Sequence, residues 1–433
     1  MNNNVVTRMA PSPTGKFHIG SARTALFSFL YAKNKGGRFI LRIEDTDKER
    51  SKKEYEDNIV ESFKWLGLNY EEFYRQSERT EIYKEQLKKL IDSGSAYISK
   101  EVPTEPGGRE EVIRFKNPNT KIKFNDVILG DIEIDSTDLG DFVIAKDLET
   151  PLFHLTVVID DGLMKVSHVI RAQEHIANTP RQILILEALG FKRPVYAHIP
   201  LVLAPDKTKL SKRHGAVALL DYRDQGYLPE AFLNFLAFLG WNPGTEQELF
   251  TLDELIKNFS LEKVNKGGAV FNTEKLNWYN REYIKKMSED KILIEVKKYL
   301  DLPEDMLLRA LPSIIERINK WSDLGNQEEF GFYKNLPEYD GVNLIWKKSD
   351  KEKTLIYLEK AKELLNSADF TNTDTIKNSI WDYAESVGRG DFLWPLRYSL
   401  SGKDKSPDPF TLAYILGKEE TISRINKAIS KLG

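Results

Sequence analysis

The sequence predicts an α/β protein: a doubly wound parallel sheet, interrupted by a β-rich insertion and followed by an all-helical C-terminal region. Three observations predict it. Strand and helix patterns alternate near the N-terminus, short strands separated by turn residues follow, and the strand pattern then stops. The expected domains are 1–94 with 151–220 for the sheet, 95–150 for the insertion, 221–300 for a connecting domain and 301–433 for the helical region.

The first elements alternate between strand and helix. Val5–Met9 has the pattern of a short strand, which Pro11 ends. An amphipathic helix starts at about Ser21 and ends at Gly36. The continuous apolar run of "RFILRIED" suits a parallel strand covered on both faces, and residues 55–66 form another helix face. This order is the start of a doubly wound sheet.

The pattern of apolar and turn residues changes between about residues 95 and 150. Short strands such as "DVILGDIEID" and "DFVIAKD" predict a module separate from the first sheet. The α/β pattern returns with "FHLTVVIDD", "HVIR", a helix through "RQILILEALG", and "HIPLVL". Thr251 and Glu254 then have the Thr-x-x-Glu form of a capping box, and nearly everything from about residue 285 onward is helical.

Composition limits the classes of function. The 433 residues include no cysteine, which excludes disulfides and thiolate zinc sites. The formal net charge is −3, so any phosphate contacts must come from local basic patches. We see no signal peptide, and "AFLNFLAFLGW", the longest apolar stretch, is too short to span a bilayer. We therefore expect a cytoplasmic protein, a monomer, with no membrane partner.

The stretch "PSPTGKFHIGS", residues 11–21, connects the first strand to the first helix. A tight, glycine-containing loop at this point exposes backbone N–H groups at the positive end of the helix, where anions bind. His18 could donate to a phosphate, and Gly20 would let a phosphate or a flat ring approach the backbone. The alternative is an ordinary strand-to-helix connection.

A second basic loop, "KLSKR" at residues 209–213, follows the last predicted strand of the sheet. Two lysines three residues apart, with a serine between them, suit the transient charge of a polyphosphate. Taken alone, such a loop is more often a solvated turn.

Together the two loops resemble the HIGH and KMSKS signatures of class I aminoacyl-tRNA synthetases, whose catalytic domain is Rossmann-like. The segments "TRMAPSPTG", "LRIEDTDKERS", "HVIRAQEH" and "APDKTKLSKRHGA" are similar to the glutamyl members. The similarity continues through "GYLPEAFLNFLAFLGW" and "GGAVFNTEKLNW" to "PLRYSLSGKDKSPDPFTLAYILG". It covers nearly the whole chain and is weakest at about 290–380.

The resemblance implies a two-step reaction. L-Glutamate and ATP, with Mg2+, give glutamyl adenylate and pyrophosphate, and the glutamyl group then passes to the terminal adenosine of tRNA(Glu). The substrate carboxylate is the nucleophile, so the protein supplies positioning and charge stabilisation. Some members bind zinc through cysteines in the insertion, which this chain lacks; we expect no zinc and no other metal site in the protein.

The resemblance also implies residue roles. The catalytic set is His18, Gly20, Lys209 and Lys212, and Thr14 and Ser211 join it around ATP. The glutamate contacts are Arg8, Ser12, Glu44, Phe153 and Arg171. In this set Arg8 and Arg171 face carboxylates and Glu44 faces the ammonium; the alternative for these three is structural ion pairs.

Two positions depart from the family pattern. Ser21 stands where many class I enzymes have the last histidine of the first signature, although glutamyl members commonly have a small residue there. Phe153 lacks the hydroxyl of the usual tyrosine, and His154 or a water is a candidate to replace it.

For tRNA, the resemblance implies a different set. Asp47 and Arg50 are expected near the terminal adenosine, and Arg109, Arg114 and Lys116 in an insertion that receives the acceptor end. Arg397 lies in the anticodon-reading region with Trp381 and Trp394 nearby, although tryptophan at helical spacing is more often core. His168 and His198 are expected to be packed or surface residues.

Three alternatives differ in function. Glutaminyl-tRNA synthetase is disfavoured by Ser12 and "EDTD", because that subtype has an acidic residue in the first signature and Asp-Asp-Thr-Asn after the second strand. The truncated homologue that glutamylates a modified tRNA base lacks the helical region. A non-catalytic tRNA- or nucleotide-binding relative is disfavoured by the intact His18, Gly20, Lys209 and Lys212.

Overall fold

The computed structural model describes residues 5–102, 110–211, 218–347 and 349–433. The chain forms two compact units, Met1–Tyr279 and Asn280–Gly433. The strands are β1 Val6–Met9, β2 Arg38–Ile43, β3 Glu72–Arg75, β4 Ala96–Lys100, β5 Glu111–Phe115, β6 Lys121–Asp126, β7 Gly130–Asp135, β8 Phe142–Ala145, β9 His168–Ala172, β10 Val195–Ile199, β11 Val202–Leu203 and β12 Ala269–Val270. The helices are α1 Ile19–Asn34, α2 Lys53–Leu66, α3 Thr80–Asp92, α4 Phe153–Leu163, α5 Thr179–Ala188, α6 Leu219–Asp224, α7 Pro229–Phe238, α8 Leu252–Asn258, α9 Thr273–Lys285, α10 Glu289–Val296, α11 Glu304–Ile315, α12 Gln327–Phe330, α13 Lys351–Ser367, α14 Thr373–Val387, α15 Arg389–Ser401, α16 Pro409–Leu416 and α17 Lys418–Leu432.

Parallel strands form the centre of the first unit. β1, β2 and β3 pair in parallel, and so do β9 and β10. The two groups meet at β1 and β9, where the backbone N–H of Ser167 donates to the carbonyl of Val6 at 2.9 Å. The resulting order, β3-β2-β1-β9-β10, confirms the predicted doubly wound sheet. The order in which the chain adds strands reverses between β1 and β9, and ligands of such sheets bind there, beyond the carboxyl ends of the strands.

The inserted segment is only partly separate from this sheet. β4, β5 and β8 form an antiparallel sheet of their own, as the sequence predicts. For β6 and β7 the prediction of a separate module is wrong, because β6 pairs in parallel with β10 and β7 pairs with β6. Ile122 and Phe124 are buried in the core of the first unit, and the Asp126 carboxylate accepts the backbone N–H of His198 at 3.0 Å.

Local signals in the sequence set the ends of several helices. His18 is the N-cap of α1, and its Nδ1 accepts the N–H of Ser21 at 3.2 Å. The capping box predicted at Thr251 and Glu254 is confirmed at the start of α8. Gly67 ends α2 in the left-handed conformation, with φ of 67°, which costs glycine little.

The second unit is all-helical, as predicted. Its core includes α15, whose Phe392, Leu396 and Leu400 are buried. In the first unit the strand pattern does not stop entirely after residue 220, because the two-residue β12 pairs with β11. This pairing supports the segment that leads into the predicted lysine loop.

Candidate active site

A cavity of about 940 Å³ opens at the carboxyl ends of β1 and β9. It is large enough for a nucleotide and an amino acid together. The predicted ATP and glutamate contacts that the structure describes all line it: Arg8, Ser12, Thr14, His18, Gly20, Glu44, Phe153, Arg171, Lys209 and Ser211. Lys212 lies outside the described residues.

The start of α1 forms one wall of this cavity. His18 Nε2 lies 3.0 Å from Ser21 Oγ, so the imidazole folds back over the first turn. A Cβ added at Gly20 would lie 3.2 Å from both Cε1 and Nδ1 of His18. Gly20 thus leaves room for the His18 ring, and the exposed end of the helix offers N–H groups to an anion.

The lysine-bearing segment forms the opposing wall. Lys209 bridges to Leu203 across a tight turn, and its Nζ lies 2.6 Å from Glu174 Oε2. Desolvation in the cleft lowers the pKa of His18; Glu174 opposes this effect and Lys209 adds to it. At neutral pH His18 is therefore a neutral hydrogen-bonding group beside an ion pair.

Arg171, on β9, is a buried cation held by neutral acceptors. Nη1 donates to Gln182 Oε1 at 2.7 Å, Nη2 to Thr179 Oγ1 at 2.8 Å, and Nε to His198 Nε2 at 3.2 Å. Among the described residues no carboxylate forms an ion pair with it. Burial, together with the nearby Arg8, lowers its pKa to about 10, so the guanidinium remains charged at neutral pH. Such a group favours an anionic ligand.

Arg8, on β1, has a different environment. Its guanidinium lies 3.2 Å from Asp161, which also accepts from Arg42 at 2.8 Å. Arg42 is fully buried and reaches Glu44 at 3.0 Å and Asp160 at 3.6 Å. Burial alone would raise the pKa of Asp161, but the two arginines hold it below its usual value. Arg8 is therefore largely neutralised before any ligand binds.

Glu44 follows β2 and is 6% exposed. Burial raises its pKa from 4.5 to about 7, although Arg42 and Arg8 act in the opposite direction. Near neutral pH the carboxyl is therefore close to its midpoint, and a ligand ammonium would favour its ionised form.

Phe153 begins α4 and faces the cavity. Its ring packs against His154 at 5.4 Å and against His175 at 6.3 Å between centroids. His175 lines the cavity, whereas His154 does not. His154 Nδ1 is buried without a hydrogen-bond partner in the described part of the chain, and its replacement of the tyrosine hydroxyl, like that by a water, stays a prediction.

Of the residues predicted to contact tRNA near the acceptor end, those that the structure describes do not line this cavity. Asp47 and Arg50 pair with each other at 2.6 Å after β2. Arg114, in β5, donates to Glu101 at 2.8 Å. Lys116 is exposed, and Arg109 lies outside the described residues.

In the second unit, Arg397 stacks over the ring of Trp394, with Cζ 4.9 Å from the centroid. Its Nη2 also donates to the carbonyl of Asp404 at 2.7 Å. Trp394 and Trp381 are both half-buried, and cations lie over both rings, Lys377 and Arg389 over Trp381. The two tryptophans are therefore only partly buried, whereas tryptophan at helical spacing is more often expected in the core.

Several residues around the cavity were missed by reasoning from the sequence. These are Glu174, which pairs with Lys209, the three residues that hold Arg171, and the carboxylates Asp160 and Asp161. Only the last pair had a signal: two adjacent carboxylates in the apolar run "FHLTVVIDD" must find cations if they are buried. The other partners are brought in by tertiary structure.

Two negative findings concern the part of the chain that the structure describes. No group of three or more His, Cys, Asp or Glu side chains there could hold a metal ion. No helix there combines the length and apolar character needed to cross a membrane.

Comparison with known families agrees with this geometry. Residues 4–106 and 99–278 match the catalytic domain of class I tRNA synthetases (E and Q), and residues 273–429 match the anticodon binding domain. The chain is 38% identical to the Glutamate–tRNA ligase of Natranaerobius thermophilus, covering 100% of both chains. It is 39% identical to that of Aquifex aeolicus, covering 99% of both.

Solved structures give the same result. A crystal structure of a glutamate tRNA ligase from Elizabethkingia meningosepticum, in complex with its amino acid, has a TM-score of 0.90 and 34% identity over 100% of both chains. The glutamate-tRNA synthetase from Elizabethkingia anophelis has a TM-score of 0.88 and 34% identity, covering 99% of this chain and 100% of that one. The chain therefore belongs to the class I tRNA synthetases, within the glutamate–tRNA ligases that its motifs predict.

Proposed function

We propose that this chain attaches L-glutamate to tRNA(Glu) at the expense of ATP, for protein synthesis. The observation that carries the proposal is Arg171: a buried guanidinium held by three neutral acceptors, in the same cavity as the start of α1 and Lys209. A site with an uncompensated cation favours a carboxylate side chain over a neutral amide. This supports glutamate and disfavours glutamine as the amino acid.

In the proposed ground state, Arg171 binds the side-chain carboxylate of glutamate and Glu44 binds its ammonium. Arg8 faces the carboxylates, Ser12 supplies a hydrogen bond, and Phe153 packs against the substrate. Each hydrogen bond to a charged group contributes roughly 1.5–3 kcal/mol, so losing one weakens binding about tenfold or more.

ATP occupies the other part of the cavity, where Thr14, Gly20 and Ser211 lie. His18 and the N–H groups of α1 bind its phosphates. Mg2+ would enter with ATP, bound to its phosphates, and would supply positive charge there.

In the first step, an oxygen of the α-carboxylate bonds to the α-phosphorus while the bond from that phosphorus to the departing pyrophosphate breaks. Lys209 and Lys212 neutralise the charge that develops, and Lys209 must leave Glu174 to do so. In the second step, a ribose hydroxyl of the terminal adenosine attacks the glutamyl carbonyl, releasing AMP and a proton. No covalent enzyme intermediate is needed.

The tRNA contacts are proposed by region. We place the acceptor end on the insertion 95–150, at Arg109, Arg114 and Lys116, with Asp47 and Arg50 beside the terminal adenosine. Domain 221–300 contacts the stem. Arg397 in 301–433 contacts the anticodon. To bind a phosphate, Arg114 must first break its ion pair with Glu101. Arg114 is therefore a weaker candidate for phosphate binding than the exposed Lys116.

Two assays test the proposal. ATP–pyrophosphate exchange is measured with glutamate and with glutamine, with and without tRNA, and aminoacylation is measured with purified tRNA(Glu) and tRNA(Gln). Exchange that depends on glutamate and charging of tRNA(Glu) are expected. Absence of exchange under every condition would favour a non-catalytic relative, and exchange with glutamine alone would favour the glutaminyl enzyme.

We further propose that the enzyme works as a cytoplasmic monomer. One chain supplies both walls of the cavity, so the site does not require a second copy. Light scattering at assay concentration checks the oligomeric state, and a dimeric mass would contradict it.

A further inference from the structure

His198 is a buried histidine on β10 that contacts Arg171 directly. Its Nε2 lies 3.2 Å from Arg171 Nε, and its Nδ1 lies 2.7 Å from Asp126 Oδ2. Both His198 and Asp126 are almost inaccessible to solvent. The Asp126 carboxylate, the His198 imidazole and the Arg171 guanidinium therefore form a hydrogen-bonded triad that leads from β6 to the cavity.

The proton positions in this triad follow from the groups that His198 contacts. Arginine has donors only, so His198 Nε2 must be the acceptor toward Arg171. Nδ1 then carries the hydrogen and donates to Asp126. Burial lowers the pKa of His198, and the adjacent Arg171 acts in the same direction against the effect of Asp126, so the ring is neutral.

Asp126 is itself fixed by the backbone. Its Oδ1 accepts the N–H groups of Ile128 at 3.0 Å and Leu129 at 2.9 Å, and its Oδ2 accepts the backbone N–H of His198 at 3.0 Å. The carboxylate therefore cannot rotate without breaking the turn that follows β6. It fixes both the ring orientation and the tautomer of His198.

Because the neutral His198 ring separates Asp126 from Arg171, the charge of Arg171 is left for a ligand. A guanidinium has five N–H groups, and three of those of Arg171 are used by His198, Gln182 and Thr179. The remaining two are left for a ligand carboxylate in the cavity that Arg171 lines. Had Asp126 contacted Arg171 directly, as Asp161 contacts Arg8, it would have competed with the ligand for the cation.

We propose that His198, oriented by Asp126, is a positioning residue that aims Arg171 at the substrate carboxylate without neutralising it. The inference rests on the proposed function, because it takes the side chain of glutamate as the ligand of Arg171. It predicts that His198 affects glutamate binding and leaves ATP binding unchanged.

The test compares substitutions that keep different halves of the contact. His198→Gln can place its amide oxygen near the position of Nε2 and accept from Arg171. His198→Asn is too short for that and reaches only toward Asp126. His198→Leu removes both contacts and also the one between Nε2 and Thr179 Oγ1 at 3.1 Å. His168→Leu is the matched control, because His168 lies on the neighbouring β9 and bonds to Ser167 and Tyr31 instead.

We expect His198→Leu and His198→Asn to raise the KM for glutamate roughly tenfold or more, as losing one hydrogen bond to a charged group does, with the KM for ATP unchanged. His198→Gln should recover most of this loss, and His168→Leu should match the wild type. Thermal unfolding shows which variants fold; if His198→Leu does not, the His198→Gln and His198→Asn pair still decides.

The proposal is overturned if all three His198 variants keep the wild-type KM for glutamate, or if the KM values for glutamate and ATP rise together. Equal losses in His198→Gln and His198→Asn would also overturn it. Failure of the proposed function has a different signature: the wild type itself would show no exchange that depends on glutamate.

Discussion

Glu44→Gln should separate the binding of the substrate ammonium from the stability of the fold. Glu44 has a pKa of about 7 because it is buried, and we propose that only its ionised form binds the ammonium. Its ionised fraction then falls from about nine tenths at pH 8 to about one tenth at pH 6. The kcat/KM for glutamate should fall about tenfold over that interval.

The histidines in and beside the cavity have lowered pKa values. Burial, with the neighbouring arginines, lowers the pKa of His154 and of His175 to about 4, and the pKa of His18 is also lowered. The rings of His154 and His175 therefore stay neutral between pH 6 and 8. The KM for ATP, measured at saturating glutamate, controls for titration of the phosphates.

The same substitution should stabilise the folded chain. A carboxyl whose pKa rises from 4.5 to about 7 on folding binds its proton more tightly in the folded state, so stability is lost as pH rises through that interval. The difference corresponds to about 3 kcal/mol at pH 8. Glu44→Gln should recover part of it at pH 8 and none at pH 4, measured by denaturant unfolding.

The result that would refute this reasoning is specific. If Glu44→Gln kept the tenfold fall in kcat/KM between pH 8 and pH 6, another group would be responsible. If the variant bound glutamate as the wild type does at pH 8, Glu44 would not face the ammonium. A variant that is less stable at pH 8 would mean that the carboxylate is stabilised, not strained, by its surroundings.

Three further predictions concern other parts of the chain. Gly20→Ala should lower the rate of adenylate formation without loss of thermal stability, because the new Cβ crowds His18 while alanine favours the helix; an unchanged exchange rate would contradict it. Lys212→Ala should abolish pyrophosphate exchange but leave tRNA affinity nearly unchanged, since its charge is needed in the transition state; a parallel loss of both would exclude that role. Thr251→Ala should lower the free energy of unfolding by about 1 kcal/mol through loss of the capping box, and an unchanged value would show that the first turn of α8 is held otherwise.

The sequence predicts the two walls of the cavity because each wall is encoded locally. The strand, loop and helix from Val6 to Asn34 are contiguous, and His18 caps its own helix. Lys209 follows the last strands of the sheet. Loops at the carboxyl ends of parallel strands meet at one edge, so motifs about 190 residues apart could be placed together without a structure.

The supports of the site could not be predicted in the same way. His198 and Asp126 are 72 residues apart, and their contact depends on β6 pairing with β10. The sequence instead predicted that the inserted strands stand apart from the sheet. A single histidine in a strand carries no signal of its own, and its ordinary interpretation as a packed residue is correct for burial but omits its contact with Arg171.

Two arginines of the cavity, Arg8 and Arg171, show how the fold separates charge balance from recognition. Arg8 and Arg42 share Asp161, and Arg42 also lies beside Glu44 and Asp160, so both cations face carboxylates of the chain itself before a ligand enters. Arg171 donates three hydrogen bonds, all to neutral groups, and no carboxylate among the described residues forms an ion pair with it. A ligand with a neutral amide would leave the buried Arg171 guanidinium without an ion-pair partner, whereas a ligand carboxylate would pair with it. The proposed preference for glutamate over glutamine therefore depends on two features: the position of Arg171, and the absence of an ion-paired carboxylate beside it among the described residues.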